Sequence, residues 1–213
     1  PCKKNTPPCS KKSNMRRSEF DIKNHEALLE LLASCEYGTL CLSDEKTPYG
    51  VPLNFAWWEE GIVFHGAKEG KKVELMARNP KAYFSVVKPY AFIPSYFSHT
   101  TSACPATQFF ASVSLEGEVC ALENSADKAK GLNALMQKLQ PEGRYESISE
   151  TNPIYTKMLE ATAVFYFKVQ QTSFKLKIGQ NLTQERKTAL IEELEKRGSA
   201  LDIETIKLIR LYM

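Results

Sequence analysis

A chain of 213 residues that is 43% hydrophobic and 25% charged has the balance of a folded globular protein. Its net charge of +3 is unevenly spread. Lys3, Lys4, Lys11, Lys12, Arg16 and Arg17 all precede the first acid, Glu19, so the remainder is mildly acidic and does not support a basic face for nucleic acid. No apolar run approaches the ~20 residues of a membrane helix. The basic, polar start lacks the apolar core of a signal peptide, so the expected location is cytoplasmic.

Residues 1–14 are rich in proline and lysine and read as a disordered basic tail. The six cysteines form no Cys-x-x-Cys pair, so local spacing predicts no metal site. A disulfide framework is not expected at this size in a cytosolic chain; Cys35, Cys41 and Cys120 read as small core residues. Asn24 stands as an N-cap before a helix carrying Leu28, Leu29, Leu31 and Leu32 and ending near Cys35. His25 in its first turn reads as a surface histidine. Two strands follow, Tyr37–Ser43 and Tyr49–Trp57, split by the polar turn 44–48. Pro52 cannot donate to a ladder, which places it at an edge or a bulge. Asn54 brings a carboxamide to the same place, suited either to the donor and acceptor edge of a ligand or to capping a turn.

The stretch from Ile62 to Pro80 carries the strongest chemical signal. Ile62, Val63 and Phe64 predict a strand; Val73, Met76 and Ala77 predict a helix stopped by Asn79-Pro80. Between them run His65-Gly66-Ala67-Lys68-Glu69-Gly70-Lys71-Lys72. Gly66 and Ala67 permit close approach to the backbone. The helix start offers free N–H groups and a positive dipole end. Lys71 and Lys72 oppose that dipole, an arrangement that makes sense with an anion, such as a phosphate, between them. The alternative is two lysines on a solvated helix face.

Further along, Lys81–Lys88 alternates as a strand, and residues 89–108 form a proline-containing loop with Tyr90, Phe92, Tyr96, Phe97, His99 and Cys104. This loop reads as a lid or a dimer contact. Phe109–Leu122 is a long strand with a bulge expected at Gly117. Ser125 opens a helix to about Leu139, and a short helix is expected over Tyr155–Leu159. Strands follow at Ala161–Val169 and Phe174–Ile178. Two amphipathic helices beginning at Thr183 and near Asp202 complete the pattern.

His-Gly-Ala-x-x-Gly-Lys-Lys before a short helix ending in Asn-Pro resembles the flavin-binding segment of the FMN-binding split-barrel proteins. The likeness is to the branch related to pyridoxamine 5'-phosphate oxidase and the nitroimidazole-resistance (Nim) proteins. Met15-Arg16-Arg17, Tyr37-Gly38-Thr39-Leu40, residues 49–55 and Ala111-Ser112-Val113 with Gly117 extend it over roughly residues 15–179. The resemblance implies a mainly β fold with flanking helices: a six-stranded antiparallel split barrel over 15–180. A C-terminal helical extension, 181–213, would pack on the barrel or on a dimer partner.

The resemblance further implies a homodimer with FMN at the interface. Pro52, Leu53, Asn54 and Phe55 would lie along the flavin ring, with His65, Gly66, Ala67, Lys71 and Lys72 around the ring and phosphate, and Ser112 and Val113 nearby. Arg16 and Arg17 would reach the phosphate or brace the barrel. His65 would either donate a proton to substrate or hydrogen-bond the ligand. The implied reaction is two-electron transfer from NAD(P)H to a nitro compound, a quinone or a flavin. The paired Arg and His motif associated with pyridoxamine phosphate oxidation is missing from the downstream stretch. Two other readings stay open: a haem-binding split-barrel protein using one of the histidines as axial ligand, or a non-enzymatic flavin-binding module.

Overall fold

The computed structural model describes residues 15–44, 47–98 and 101–213. The basic tail, the tip of the first hairpin and His99 lie outside them. Seven strands and six α-helices alternate along the described chain: α1 His25–Ser34, β1 Tyr37–Ser43, β2 Pro48–Asn54, β3 Ala56–Trp58, β4 Gly61–Gly66, α2 Lys71–Arg78, β5 Lys81–Ile93, β6 Thr107–Ala121, α3 Ser125–Leu139, α4 Pro153–Ala161, β7 Ala163–Lys177, α5 Gln184–Arg197 and α6 Ala200–Leu211. The strands form one sheet in the order β2-β1-β5-β6-β7-β4-β3. The chain divides into two compact units, residues 25–86 with 113–172 and residues 15–24 with 87–112 and 173–213, and β5, β6 and β7 contribute to both.

In the first unit the fold turns on Phe55. The expected single strand from Tyr49 to Trp57 is broken there, and the sheet has seven strands where the resemblance implies six. The two pieces lie at opposite edges of the strand order, with β2 on β1 and β3 on β4. One residue joins them, so the sheet must curl until its edges approach. Phe55 has no exposed surface and packs edge-on against Phe84, 5.1 Å between centroids. Pro52, opposite Thr39, sits in the outermost strand, where its missing N–H costs no ladder bond. Val63 of β4 is buried against α3, where Leu132, Leu135, Ile148, Leu159 and Val164 complete that core, and Ile62 and Phe64 are buried on the opposite face of the strand. A Cβ on Gly117 would run into the carbonyl oxygen of Lys168, so β6 and β7 approach too closely there for any side chain.

Local signals set several boundaries differently from expectation. Asn124, rather than Ser125, caps α3, accepting from the N–H groups of Ala126 and Asp127. Two strands expected at 161–169 and 174–178 are one continuous strand, β7, because Gln170, Gln171 and Thr172 extend as an exposed stretch between two buried halves. The expected long loop after residue 88 is shortened by the continuation of β5 to Ile93 and by a 3₁₀ turn over Ser95–Ser98. Among the described residues Cys35, Cys41 and Cys104 are free.

In the second unit α5 and α6 pack on each other. Ser199 and Asp202 form a reciprocal capping box at the start of α6. The Asp202 side chain has no accessible surface and pairs with both arms of Arg197, at 2.9 and 2.5 Å. That guanidinium also donates to the carbonyl of Phe92, and the Thr205 hydroxyl accepts from the N–H of Ala91. The C-terminal helices are thereby fixed to the end of β5 within this unit.

Candidate functional site

The junction from β4 to α2 brings the predicted residues together. The β4 burial pattern changes at His65: four buried residues precede it, then the chain surfaces through His65, Gly66 and Ala67. His65 and Gly66 still pair with Val164 and Ala163 on β7, so the last turn of the site is anchored to the sheet. Gly70 takes φ 109 and ψ 172, a conformation that side chains resist. It is the N-cap of α2 and supplies no side-chain bond to the first turn. A Cβ on Gly70 would meet nothing within 4 Å, so the helix end opens outward.

Two cations follow Gly70 in the first turn, each over rings of its own. Lys71 Nζ stands 4.9 Å from the centroid of the Tyr49 ring on β2. Lys72 Nζ lies 5.6 and 5.7 Å from the rings of Phe64 and Phe165, which stack at 5.3 Å. Lys72 folds back over Gly66 so closely that a Cβ there would fall 2.5 Å from its Nζ. Desolvation by these neighbours holds the Lys72 pKa below its ordinary 10.5. His65 is exposed overall, but crowding of its ring lowers its pKa from 6.5, and the Lys72 charge lowers it further. At neutral pH the imidazole is therefore uncharged, a hydrogen-bonding group beside a lysine.

The remaining predicted residues divide. Pro52 is exposed and Leu53 half-buried on the edge strand. Asn54 directs its Nδ2 to the carbonyl of Glu36 at 3.1 Å, which ties the end of β2 to the entry of β1. Phe55 points into the core, and so does Val113, which has no exposed surface; their side chains are closed to a ligand within this unit. Ser112 is half-buried on β6 and falls in the second unit. Among the described residues no group of three or more His, Cys, Asp or Glu is placed to hold a metal ion, and no helix is long and apolar enough to cross a membrane.

Three residues of this neighbourhood are absent from the sequence-based set. Tyr49 and Phe165 support the lysines, and alternation along their strands was their only signal. Lys138, near the end of α3, lies with Nζ 3.4 Å over the Phe55 ring. That nitrogen is buried without a hydrogen-bond partner, and burial pulls its pKa down to about 8 against the opposing pull of Cys35 and Glu36.

The donor set suits a phosphate monoester. It offers an uncapped helix end, two lysines with no carboxylate paired to them in the described structure, and a glycine whose missing side chain makes room for one of those lysines. An antiparallel curled sheet with such a cradle at one strand-to-helix junction defines a split-barrel protein. The profile of the pyridoxamine 5'-phosphate oxidase family matches residues 24–176, and the chain belongs to that family. Among solved structures it is similar to the flavocytochrome Anf3 from Azotobacter vinelandii, with 21% identity over 76% of this chain and 72% of that one and a TM-score of 0.64. It is similar also to the FAD and heme binding protein from Mycobacterium smegmatis, with 19% identity over 79% of each chain and a TM-score of 0.63. A candidate 5-nitroimidazole antibiotic resistance protein from Bacteroides thetaiotaomicron shares 18% identity over 73% of this chain and 85% of that one, with a TM-score of 0.59. No curated protein matches the sequence.

Proposed function

We propose that this chain binds a flavin, FMN in the first instance, and uses it as an oxidoreductase. The observation that carries the reading is a pair of lysines in the first turn of the uncapped α2, one of them folded over Gly66 next to His65. A bound flavin would supply two-electron transfer from a reduced nicotinamide to a small acceptor such as a nitro compound, a quinone or a free flavin. The protein's part is to hold and orient. Lys71 and Lys72 offset a phosphate charge of roughly −1.5 to −2, and Tyr49 keeps Lys71 in place from below. Pro52 and Leu53 present an edge without a ladder to complete, against which a flat ring can lie. Neutral His65 is placed to hydrogen-bond the ligand. Protonation for delivery to substrate requires an anion to offset Lys72 first.

The cofactor is proposed to lie at the interface of a homodimer. Tyr37 and Tyr83, at 61% and 39% exposure, leave aromatic surface on the outward faces of β1 and β5 in keeping with a second copy. One similar protein is described as an FAD and heme binding protein and another as a flavocytochrome, and in that second reading His25 or His65, both exposed, would supply the axial ligand.

The absorption spectrum of the protein purified without added cofactor, followed by FMN titration, tests both. A two-band flavin spectrum, or FMN binding that weakens in Lys72→Gln, is the expected result. A single intense Soret band would replace flavin by haem, and no binding of either would overturn the proposal. Light scattering of the loaded protein tests the dimer.

A further inference from the structure

We propose a second anion site, in the other unit, where Arg17, Lys175 and Lys177 form a phosphate-binding cluster walled by Phe20 and Phe110. It uses none of the residues around α2, and Arg17, which the resemblance gave to the flavin phosphate or to bracing the barrel, is assigned here to this cluster.

Lys175 and Lys177 are two apart on β7 and therefore share a face, while their neighbours Phe174, Leu176 and Ile178 are buried on the other. Along this part of β7 the N-terminal stretch adds to the ladder. The Ile22 N–H donates to the carbonyl of Phe174 at 2.9 Å, and Asp21 bridges Lys175. This pairing fixes the preceding turn, Ser18–Phe20, beside the lysines. Both Arg17 and Lys175 sit over the Phe20 ring, at 5.8 and 6.0 Å, and Lys175 also lies 5.3 Å from the centroid of Phe110 on β6. Lys177 donates to the hydroxyl of Thr107.

Arg17 and Lys175 thus share the Phe20 ring, Lys177 stands two residues along the same face of β7, and no carboxylate is paired to any of the three among the described residues. The carboxylate alongside, Asp21, is taken by Lys23 at 2.7 Å. The crowding has an electrostatic cost: Lys177 has its pKa lowered, first by desolvation and then by the charges of Lys175 and Arg17. Like charges held together in this way are relieved by a ligand of opposite sign. The cation and ring geometry points to a phosphoryl or pyrophosphoryl group, with an attached planar group able to lie against Phe110.

Calorimetric titration of the full chain with inorganic pyrophosphate at physiological salt tests this site. Lys175→Gln/Lys177→Gln should weaken binding at least about tenfold, as expected for two lost charge-assisted contacts. The titration is run in a Lys72→Gln background, so that pyrophosphate taken up at the start of α2 does not enter the reading. Arg17→Gln, at an exposed position, should weaken it by itself, and Lys175→Arg/Lys177→Arg should retain it. These two variants keep the test open if the double glutamine variant fails to fold. Undiminished binding in the glutamine variants, or no pyrophosphate binding at all in the Lys72→Gln background, would overturn the proposal. ADP distinguishes sources: tighter binding than pyrophosphate identifies a nucleotide-type ligand, and equal binding a free polyphosphate, either of which bears the site out.

Discussion

Replacing Gly66 by alanine separates the anion cradle from the fold that carries it. The new Cβ would stand 2.5 Å from Lys72 Nζ, well inside contact distance, and the lysine tip is the part free to move. The ammonium must then leave its place over Phe64 and Phe165. The backbone need not, since Gly66 keeps its pairing with Ala163 and has no positive φ to lose. Folding stability should change by no more than about 0.5 kcal/mol, and a stiffer unfolded chain favours a small gain. Losing one charge-assisted hydrogen bond to a phosphate costs about 1.5–3 kcal/mol, or roughly ten- to 150-fold in Kd. Quenching of flavin fluorescence gives Kd for FMN and for riboflavin, which has no phosphate. Gly66→Ala should weaken FMN by about tenfold or more and riboflavin hardly at all. An FMN affinity unchanged within twofold, or an equal loss for riboflavin, would refute the placement of the phosphate at Lys72.

Other expectations follow from the same geometry. The His65 imidazole should titrate below 6.5 by NMR in the free protein and rise when phosphate is added, because an anion cancels the Lys72 field; a fixed value would sever the two residues. Lys138 titrates at about 8 when folded against 10.5 when unfolded, so between those values the unfolded chain binds more protons and stability rises with pH. Lys138→Met should melt higher than the parent at pH 7 and lose that rise, and an identical pH profile would contradict the burial of the amine. Asp202, held at about 2 by Arg197 and the capping bonds, adds stability that is complete above its ordinary 3.8 and is lost as pH falls toward 2. Asp202→Asn should cost about 2 kcal/mol in denaturant melts at pH 7, and an unchanged midpoint would deny the pair its role.

Much of this was legible in the sequence wherever a local rule decides. The period change between Phe64 and Val73 marks a strand giving way to a helix, and it stands as read. Pro52 narrows its strand to an edge or a bulge because proline lacks a donor in any context, and β2 is an edge strand. What the sequence did not disclose depends on distance in space. Phe55 follows three residues of good strand pattern, and only closure of the sheet turns it inward and breaks the strand. Asn54 offers a carboxamide, but its commitment to Glu36 arises from a partner 18 residues away. Lys138 reads as a solvated residue in the last turn of a helix, and nothing local announces an aromatic ring 3.4 Å below its ammonium.

The uncapped start of α2 has a consequence for how the protein behaves when handled. An isolated helix of eight residues is short of what water alone sustains. This one also begins with a glycine and two cations at its positive end. An anion bound there would complete the missing cap, so the helix and its occupant should stabilise each other. Amide hydrogens of residues 71–75 should then exchange with solvent markedly more slowly once the site is filled. A partly loaded sample should melt as two populations, and a protease that spares the loaded protein should find this segment first in the empty one.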